Sequence, residues 1–127
     1  MSLPLAVRQA HQKQLYAIDA AVADSRLLTD PDALLALLRS AVATGGGHVL
    51  DQAVVVFPNR AVTLVLVLAE SHLSLHTWPE ECLLAVDLFS CGAIDSRRVI
   101  ESLRTGLGLR RMTLHYFRRG IGAGHVG

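Results

Sequence analysis

The sequence predicts an α+β fold, a two-layer sandwich in which one antiparallel sheet carries two helices on one face. Apolar runs and turn residues give the element order β-α-β-β-β-β-α-β, which is typical of such a sheet. Of the 127 residues, 51% are hydrophobic and 18% are charged, which indicates a well-packed globular chain. A chain of this length is expected to form one domain over residues 1–127.

The first strand and the first helix are expected in the N-terminal part. Residues 1–13 are mixed and polar and are expected to form a loose arm, which is followed by a strand over Leu15–Val22. Asp30 suits the N-cap of a helix and Pro31 its first position, because the cap accepts free backbone N–H groups and proline lacks one. Apolar residues then recur at helical spacing until Gly45–Gly47, where the helix is expected to end.

The remaining chain is expected to supply most of the sheet. Runs rich in valine and leucine predict strands over Val49–Phe57 and Val62–Ala69. The chain is expected to continue extended over Ser71–Trp78, with further strands over Cys82–Phe89 and Arg111–Phe117. Asp95 or Ser96 is expected to cap a second helix before the last strand. The apolar side chains of that helix fall on one face, at Val99, Ile100, Leu103 and Leu107.

The strands 53–57 and 62–69 are apolar at successive positions, not at alternate ones. Both faces of the central sheet are therefore expected to be buried. Because two helices can cover only one face, the other face is expected to pack against the sheet of a second copy, giving an α-β-β-α sandwich homodimer. A long covering loop is the alternative, but the loops expected here are short.

Composition argues against several classes of function. A net charge of +1 gives no electrostatic reason to expect nucleic acid or a membrane surface as partner. The longest apolar run, Ala61–Ala69, is shorter than the about 20 residues that span a bilayer. The N-terminus lacks a signal-peptide pattern, so a cytoplasmic protein is expected. Cys82 and Cys91 have neither metal-type spacing nor the pattern of a secreted disulfide framework.

The stretch from Ala69 to Glu80 combines acidic, hydroxyl and imidazole side chains with the only tryptophan, Trp78. Taken singly, these residues favour structural roles, since a strand hydroxyl is usually hydrogen-bonded or solvent-facing and a tryptophan usually packs in the core. His72 and His76 lie four residues apart and would share one face of a strand, as two ligands of a metal ion would. No third ligand follows at zinc-like spacing, so no metal site is predicted.

Two blocks, considered together, resemble one family. Glu70–Glu80 reads ESHLSLHTWPE, and Asp87–Gly92 reads DLFSCG. The prokaryotic S-adenosylmethionine decarboxylases, which are pyruvoyl enzymes, have a near-identical first block and an Asp-x-Phe-Thr-Cys-Gly block at the same interval. The resemblance covers about residues 14–119, nearly the whole chain.

The resemblance implies a proenzyme that makes its own cofactor after cleavage between Glu70 and Ser71. Ser71 would attack the Glu70 carbonyl, and elimination and hydrolysis would leave a pyruvoyl group at position 71. This group would form a Schiff base with the substrate amine and accept electrons as carbon dioxide leaves, a task that pyridoxal phosphate performs in other enzymes. The implied reaction is the decarboxylation of S-adenosylmethionine, which supplies the aminopropyl donor for spermidine synthesis.

The resemblance also implies roles in processing and catalysis. His76 matches a histidine that moves protons during processing, and Thr63 stands where the family has a serine that assists it. Cys91 matches the general acid that protonates the product carbon. Ser71 and His76 lie five residues apart, so in a regular strand they face opposite sides of the sheet. Either a bulge intervenes or His76 serves the serine of a neighbouring copy, and the resemblance likewise implies active sites between two protomers.

The substrate contacts implied by the resemblance suit a nucleoside. Phe57 and Trp78 match adenine-contacting aromatic residues, whose rings also suit a cationic sulfonium, and Glu80 matches a carboxylate that binds the ribose hydroxyls. The loop 58–61 departs from the family, since Ala61 replaces its glycine and its proline has shifted by two residues. Two alternatives therefore stay open: a pyruvoyl decarboxylase of ornithine or arginine, and an unprocessed, non-catalytic relative.

Overall fold

The structure is a computed structural model and describes residues 12–121. One antiparallel sheet of six strands has the order β2-β3-β4-β5-β1-β6. The strands are β1 (Lys13–Val22), β2 (Val49–Val56), β3 (Val62–Leu68), β4 (Ser71–Trp78), β5 (Leu83–Ser90) and β6 (Leu109–Arg119). The helices are α1 (Pro31–Thr44) and α2 (Ser96–Gly106), with short 3-10 helices at Ser25–Thr29 and Pro79–Glu81. The predicted α+β class and the predicted element order are confirmed.

Both helices begin where local chemistry predicts. The Asp30 carboxylate accepts the Ala33 N–H at 3.1 Å, and Pro31 occupies the first turn. The Asp95 carboxylate accepts the Arg98 N–H at 3.2 Å, so Asp95 and not Ser96 is the N-cap of α2. The glycines that end α1 also allow the helices to approach, because a Cβ on Gly45 would lie 2.4 Å from the side chain of Val99 in α2.

The core lies between the helices and one face of the sheet. Alternate strand residues pack against apolar side chains of α1 and α2, and each fully buried side chain of this kind contributes about 1.5–3 kcal/mol. The largest of these side chains belong to Ile18, Leu34, Leu38, Leu64, Leu66, Leu73, Leu75, Leu84, Leu88 and Leu103. No helix within residues 12–121 is long and apolar enough to cross a membrane.

The paired strands β1 and β6 are longer than predicted. The strand predicted over Leu15–Val22 begins at Lys13, and the one predicted over Arg111–Phe117 runs from Leu109 to Arg119. The added Lys13 pairs with the added Arg119, and the added Leu109 pairs with Val22 of the predicted strand, so the extension comes from non-local pairing. The arm expected over 1–13 lies outside the described residues except for its last two positions.

The strand Ser71–Trp78 and the starts at Val49 and Val62 are confirmed, whereas four other strand ends differ by one residue, including the one predicted at Phe89, which lies at Ser90. The strands predicted to end at Phe57 and Ala69 end at Val56 and Leu68, because the chain turns there. The strand predicted to begin at Cys82 begins at Leu83 instead. Cys82 has a φ of 52°, a left-handed conformation that cannot continue a strand.

The two faces of the sheet differ in burial within the single chain. In β3, Leu64 and Leu66 are buried towards the helices, whereas Val67 is 44% exposed on the other face. The edge strand β2 is open on both faces, with Val55 50% exposed. The helices thus cover one face, as predicted, and burial of the second face stays a prediction that depends on a second copy.

Candidate active site

The predicted cleavage point lies in the tight turn that joins β3 and β4, two inner strands of the sheet. Ala69 and Glu70 connect β3 to β4, and Leu68 pairs with Ser71 across the hairpin. Ser71 has a φ of 137°, a region that residues with a Cβ rarely occupy and that stores local strain. We call Ala69–Ser71 the cleavage turn.

The Glu70 carbonyl, which Ser71 is predicted to attack, has a hydrogen-bond donor in place. The backbone N–H of Cys91 donates to this oxygen at 3.1 Å. Cys91 reaches the turn because β5, which ends at Ser90, pairs with β4 and places Ser90 opposite Ser71. The structure therefore brings three predicted residues together at one end of β4: Glu70, Ser71 and Cys91.

The Glu70 side chain is buried and is held by His48, a residue that the sequence did not single out. One carboxylate oxygen accepts the His48 backbone N–H at 3.0 Å, and the other lies 2.9 Å from the imidazole Nδ1. Burial by itself raises the pKa of the Glu70 carboxyl, but the hydrogen bonds and charge of His48 together hold it below its ordinary value. Glu70 is therefore ionised at neutral pH.

The other predicted residues gather at the far end of β4. Thr63 and His76 are opposite each other in the sheet, and the Thr63 hydroxyl lies 3.1 Å from the imidazole Nδ1. The rings of His76 and Trp78 are 6.2 Å apart between centroids. A cavity of about 380 Å³ is lined there by Phe57, Asn59, Ala61, Thr63, His76, Thr77 and Trp78. We call it the aromatic pocket.

Glu80 is linked to this pocket through Asn59, which the sequence also did not single out. The Asn59 side-chain amide donates to the Glu80 carboxylate at 2.9 Å, and its oxygen accepts the Ala61 N–H at 3.1 Å. Asn59 thus fixes the turn after Phe57 and the Glu80 carboxylate at once. The loop 58–61, where the chain departs from the family it resembles, is the loop that holds this carboxylate.

The two groups of residues do not meet within one chain. The pairing of β4 with β3 and with β5 runs without a register shift, so the bulge considered between Ser71 and His76 is absent. Ser71 and His76 are five positions apart along the extended strand, which corresponds to about 17 Å. Alternation along β4 places His76 on the face without helices, but the φ of Ser71 means that alternation does not fix the direction of its side chain.

His72 and His76 have different partners in the structure. The His72 ring packs against Phe89, with 5.6 Å between ring centroids, whereas the His76 ring contacts Thr63 and Trp78. Among residues 12–121, no three side chains of the histidine, cysteine, aspartate or glutamate type are grouped as metal ligands would be.

Comparison with known proteins gives consistent matches. The profile of the family described as S-adenosylmethionine decarboxylase matches residues 14–120. An S-adenosylmethionine decarboxylase proenzyme of Symbiobacterium thermophilum is 40% identical over 97 residues, 76% of this chain and 74% of that protein. A proenzyme of the same name from Pyrobaculum arsenaticum is 40% identical over 100 residues, 77% of this chain and 80% of that protein.

A solved structure shares the fold. The crystal structure of the adenosylmethionine decarboxylase from Aquifex aeolicus VF5 superposes with a TM-score of 0.80 and 26% identity, covering 92% of this chain and 98% of that one. The TM-score, over nearly the full length of both chains, shows that the two proteins share a fold. The chain belongs to the S-adenosylmethionine decarboxylase family.

Proposed function

We propose that this chain is a proenzyme that cleaves itself between Glu70 and Ser71 and then decarboxylates S-adenosylmethionine, supplying the aminopropyl donor for spermidine. The observation that carries the proposal is the cleavage turn, where a strained serine follows a carbonyl that already accepts a hydrogen bond from Cys91. The names of the relatives support the substrate and argue against the ornithine or arginine alternative.

Cleavage begins with transfer of the Glu70 acyl group. The Ser71 hydroxyl oxygen attacks the Glu70 carbonyl carbon, the C–N bond breaks, and the hydroxyl proton ends on the Ser71 nitrogen. An ester to the serine oxygen replaces the peptide bond. Negative charge that develops on the carbonyl oxygen is stabilised by the Cys91 N–H, which is in place before the reaction.

Elimination then separates the chains. Loss of the Ser71 α-proton breaks the Cβ–O bond, and Glu70 leaves as a carboxylate that keeps the serine oxygen. The dehydroalanine left at position 71 rearranges to an imine, and one water molecule hydrolyses it to a ketone with release of ammonia. The net change consumes one water molecule, and the second chain begins with a pyruvoyl group.

The residues around position 71 fit this group and its use. A pyruvoyl group supplies a carbonyl for the substrate amine and an electron sink for decarboxylation. The backbone hydrogen bond from Cys91 to the Glu70 carbonyl places Cys91 beside position 71. Its thiol is therefore suited to donate a proton to the product carbon.

The aromatic pocket suits the nucleoside part of the substrate. Phe57 and Trp78 are 44% and 38% exposed at its mouth, so their rings are free to stack on adenine and to attract the sulfonium charge. Glu80, oriented by Asn59, suits the ribose hydroxyls. We assign Thr63 and His76, which are hydrogen-bonded to each other, to proton movement during processing.

The distance of about 17 Å between Ser71 and His76 favours a homodimer whose active sites lie between protomers. The face without helices carries a row of neighbouring side chains across five strands: Val67, His72, Phe89, Leu15 and Phe117. Four of these five side chains are apolar, which favours their burial against the same face of a second copy. His76 of one protomer would then serve Ser71 of the other.

Intact-mass measurement of purified protein tests the proposed function. We expect two chains divided between Glu70 and Ser71, the second carrying pyruvoyl, and release of carbon dioxide from S-adenosylmethionine but not from ornithine or arginine. Only full-length protein after prolonged incubation would overturn the proposal and leave the non-catalytic alternative.

Co-expression tests whether the site is shared. Ser71→Ala chains lack the nucleophile and His76→Ala chains lack the proton carrier, so neither is expected to cleave efficiently alone. Co-expressed, the His76→Ala chain should be cleaved with help from the histidine of the other chain, and the two masses distinguish them. If His76→Ala stays as slow on co-expression as alone, the residue acts within its own chain.

A further inference from the structure

Glu70 is the only carboxylate among the buried residues that the structure describes. Its side chain is 8% exposed, and each carboxylate oxygen has a hydrogen-bonding partner in His48. Burying a charge is costly unless the charge is paired and hydrogen-bonded. A buried, paired carboxylate in this turn therefore calls for an explanation. The steps of self-cleavage proposed above use the Glu70 carbonyl and not its side chain.

His48 holds the cleavage turn by three contacts from one residue. Its carbonyl accepts the Ala69 N–H at 2.9 Å, its N–H donates to Glu70, and its imidazole lies 2.9 Å from the second Glu70 oxygen. His48 directly precedes β2, the neighbour of β3, whereas Cys91 directly follows β5, the neighbour of β4. The turn between β3 and β4 is thus held from both flanking strands.

We propose that His48 is a positioning residue for self-cleavage, which fixes Glu70 through its side chain so that the Glu70 carbonyl stays against the Cys91 N–H. The inference rests on the proposed cleavage at Glu70–Ser71. None of these contacts is to a reacting atom, and the imidazole acts through the Glu70 carboxylate. Its effect follows from geometry, since an attack between adjacent groups depends steeply on how closely they are held in a reactive arrangement.

The exposure of His48 separates this role from a role in folding. Its side chain is 73% exposed, so truncation opens no cavity in the core. Truncation does free the Glu70 carboxylate from its side-chain partner, while the backbone N–H of residue 48 remains in place. The expected consequence is a looser turn in a folded protein.

The test measures the rate of conversion from one chain to two by intact mass, starting from freshly purified precursor. We expect His48→Ala to cleave about tenfold more slowly than the unchanged chain, which corresponds to about 1.4 kcal/mol. His48→Asn keeps a side-chain N–H close to the position of Nδ1 and should restore most of the rate. Once processed, His48→Ala should decarboxylate with unchanged kcat and KM, because cleavage detaches Glu70 from position 71 and His48 lies outside the aromatic pocket.

Arg39→Ala is the matched control, since the Arg39 side chain is exposed and hydrogen-bonds to Gln52 of β2 at 2.8 Å without contact to the turn. It should cleave at the unchanged rate. Cleavage of His48→Ala at the unchanged rate, or equally slow cleavage of His48→Asn and His48→Ala, would overturn the inference. If the unchanged chain itself does not cleave, the proposed function fails instead, so the two failures are distinguishable.

Discussion

The two ends of β4 are built in different ways. At the cleavage turn, hydrogen bonds from the residues flanking two other strands fix a buried glutamate and a backbone carbonyl. At the aromatic pocket, half-exposed side chains face an open cavity and are joined mainly to immediate cross-strand neighbours. A reaction of the chain with itself needs fixed geometry, whereas a site for an incoming molecule needs groups that are still free.

Changes at the turn should act on processing, and changes at the substrate-contacting residues of the pocket should act on the substrate. Thr63 and His76 are the exception, since they line the pocket but are proposed to serve the processing of a neighbouring protomer. Ser71→Ala should have the largest effect and abolish cleavage, because no nucleophile remains. Intact mass should show only the full-length chain even after prolonged incubation. Ser74→Ala, which removes another hydroxyl of β4, is the control and should still cleave. Any cleavage of Ser71→Ala into two chains would show that the cut does not depend on Ser71.

Cys91→Ala should separate the two roles proposed for this residue. The donor to the Glu70 carbonyl is the backbone N–H, which alanine keeps, so cleavage should proceed at close to the unchanged rate. Decarboxylation should fall by about 10²-fold or more, in line with the loss of a general acid. Mass measurement follows the first and carbon dioxide release the second. Equal loss of both would show that the thiol itself takes part in cleavage.

Asn59→Ala should have a smaller effect, confined to the pocket. It removes one hydrogen bond to Glu80 and one to the Ala61 N–H, and a single hydrogen bond is worth about 0.5–1.5 kcal/mol. We expect KM for S-adenosylmethionine to rise about two- to tenfold with kcat and the cleavage rate little changed. Steady-state kinetics on processed enzyme measures this. A slower cleavage instead would mean that the two ends of β4 are coupled.

The smallest expected effect is on stability in acid. The pKa of Glu70 lies below its ordinary value in the folded chain, so its stabilising contribution is fully present above the unfolded pKa and is lost as pH falls through the folded value. Ser71→Ala stays uncleaved, so it can be compared with Ser71→Ala/Glu70→Gln. As the pH falls from the ordinary pKa of a glutamate through the lower pKa of folded Glu70, the urea midpoint of Ser71→Ala should fall more steeply. Parallel pH curves for the two variants would contradict the pairing with His48.

Local signals predicted the features that depend on near neighbours. Asp30 and Pro31 begin α1, and Asp95 caps α2, because capping is decided within one helical turn. The ends of β1 and β6 were missed because their pairing joins opposite ends of the chain. His48 and Asn59 were missed for the same reason, since each bonds a carboxylate more than 20 positions away and neither lies in a recognisable pattern.

The order of strands in the sheet has a consequence for the cleaved protein. A cut before Ser71 leaves β1, β2 and β3 on one polypeptide and β4, β5 and β6 on the other. Because β1 lies between β5 and β6, the first polypeptide is inserted into the sheet of the second, and three strand boundaries join different molecules. Neither polypeptide can build this sheet alone. Folding must therefore precede cleavage. The sheet forms from one chain, and after the cut it persists as a complex of two interleaved chains.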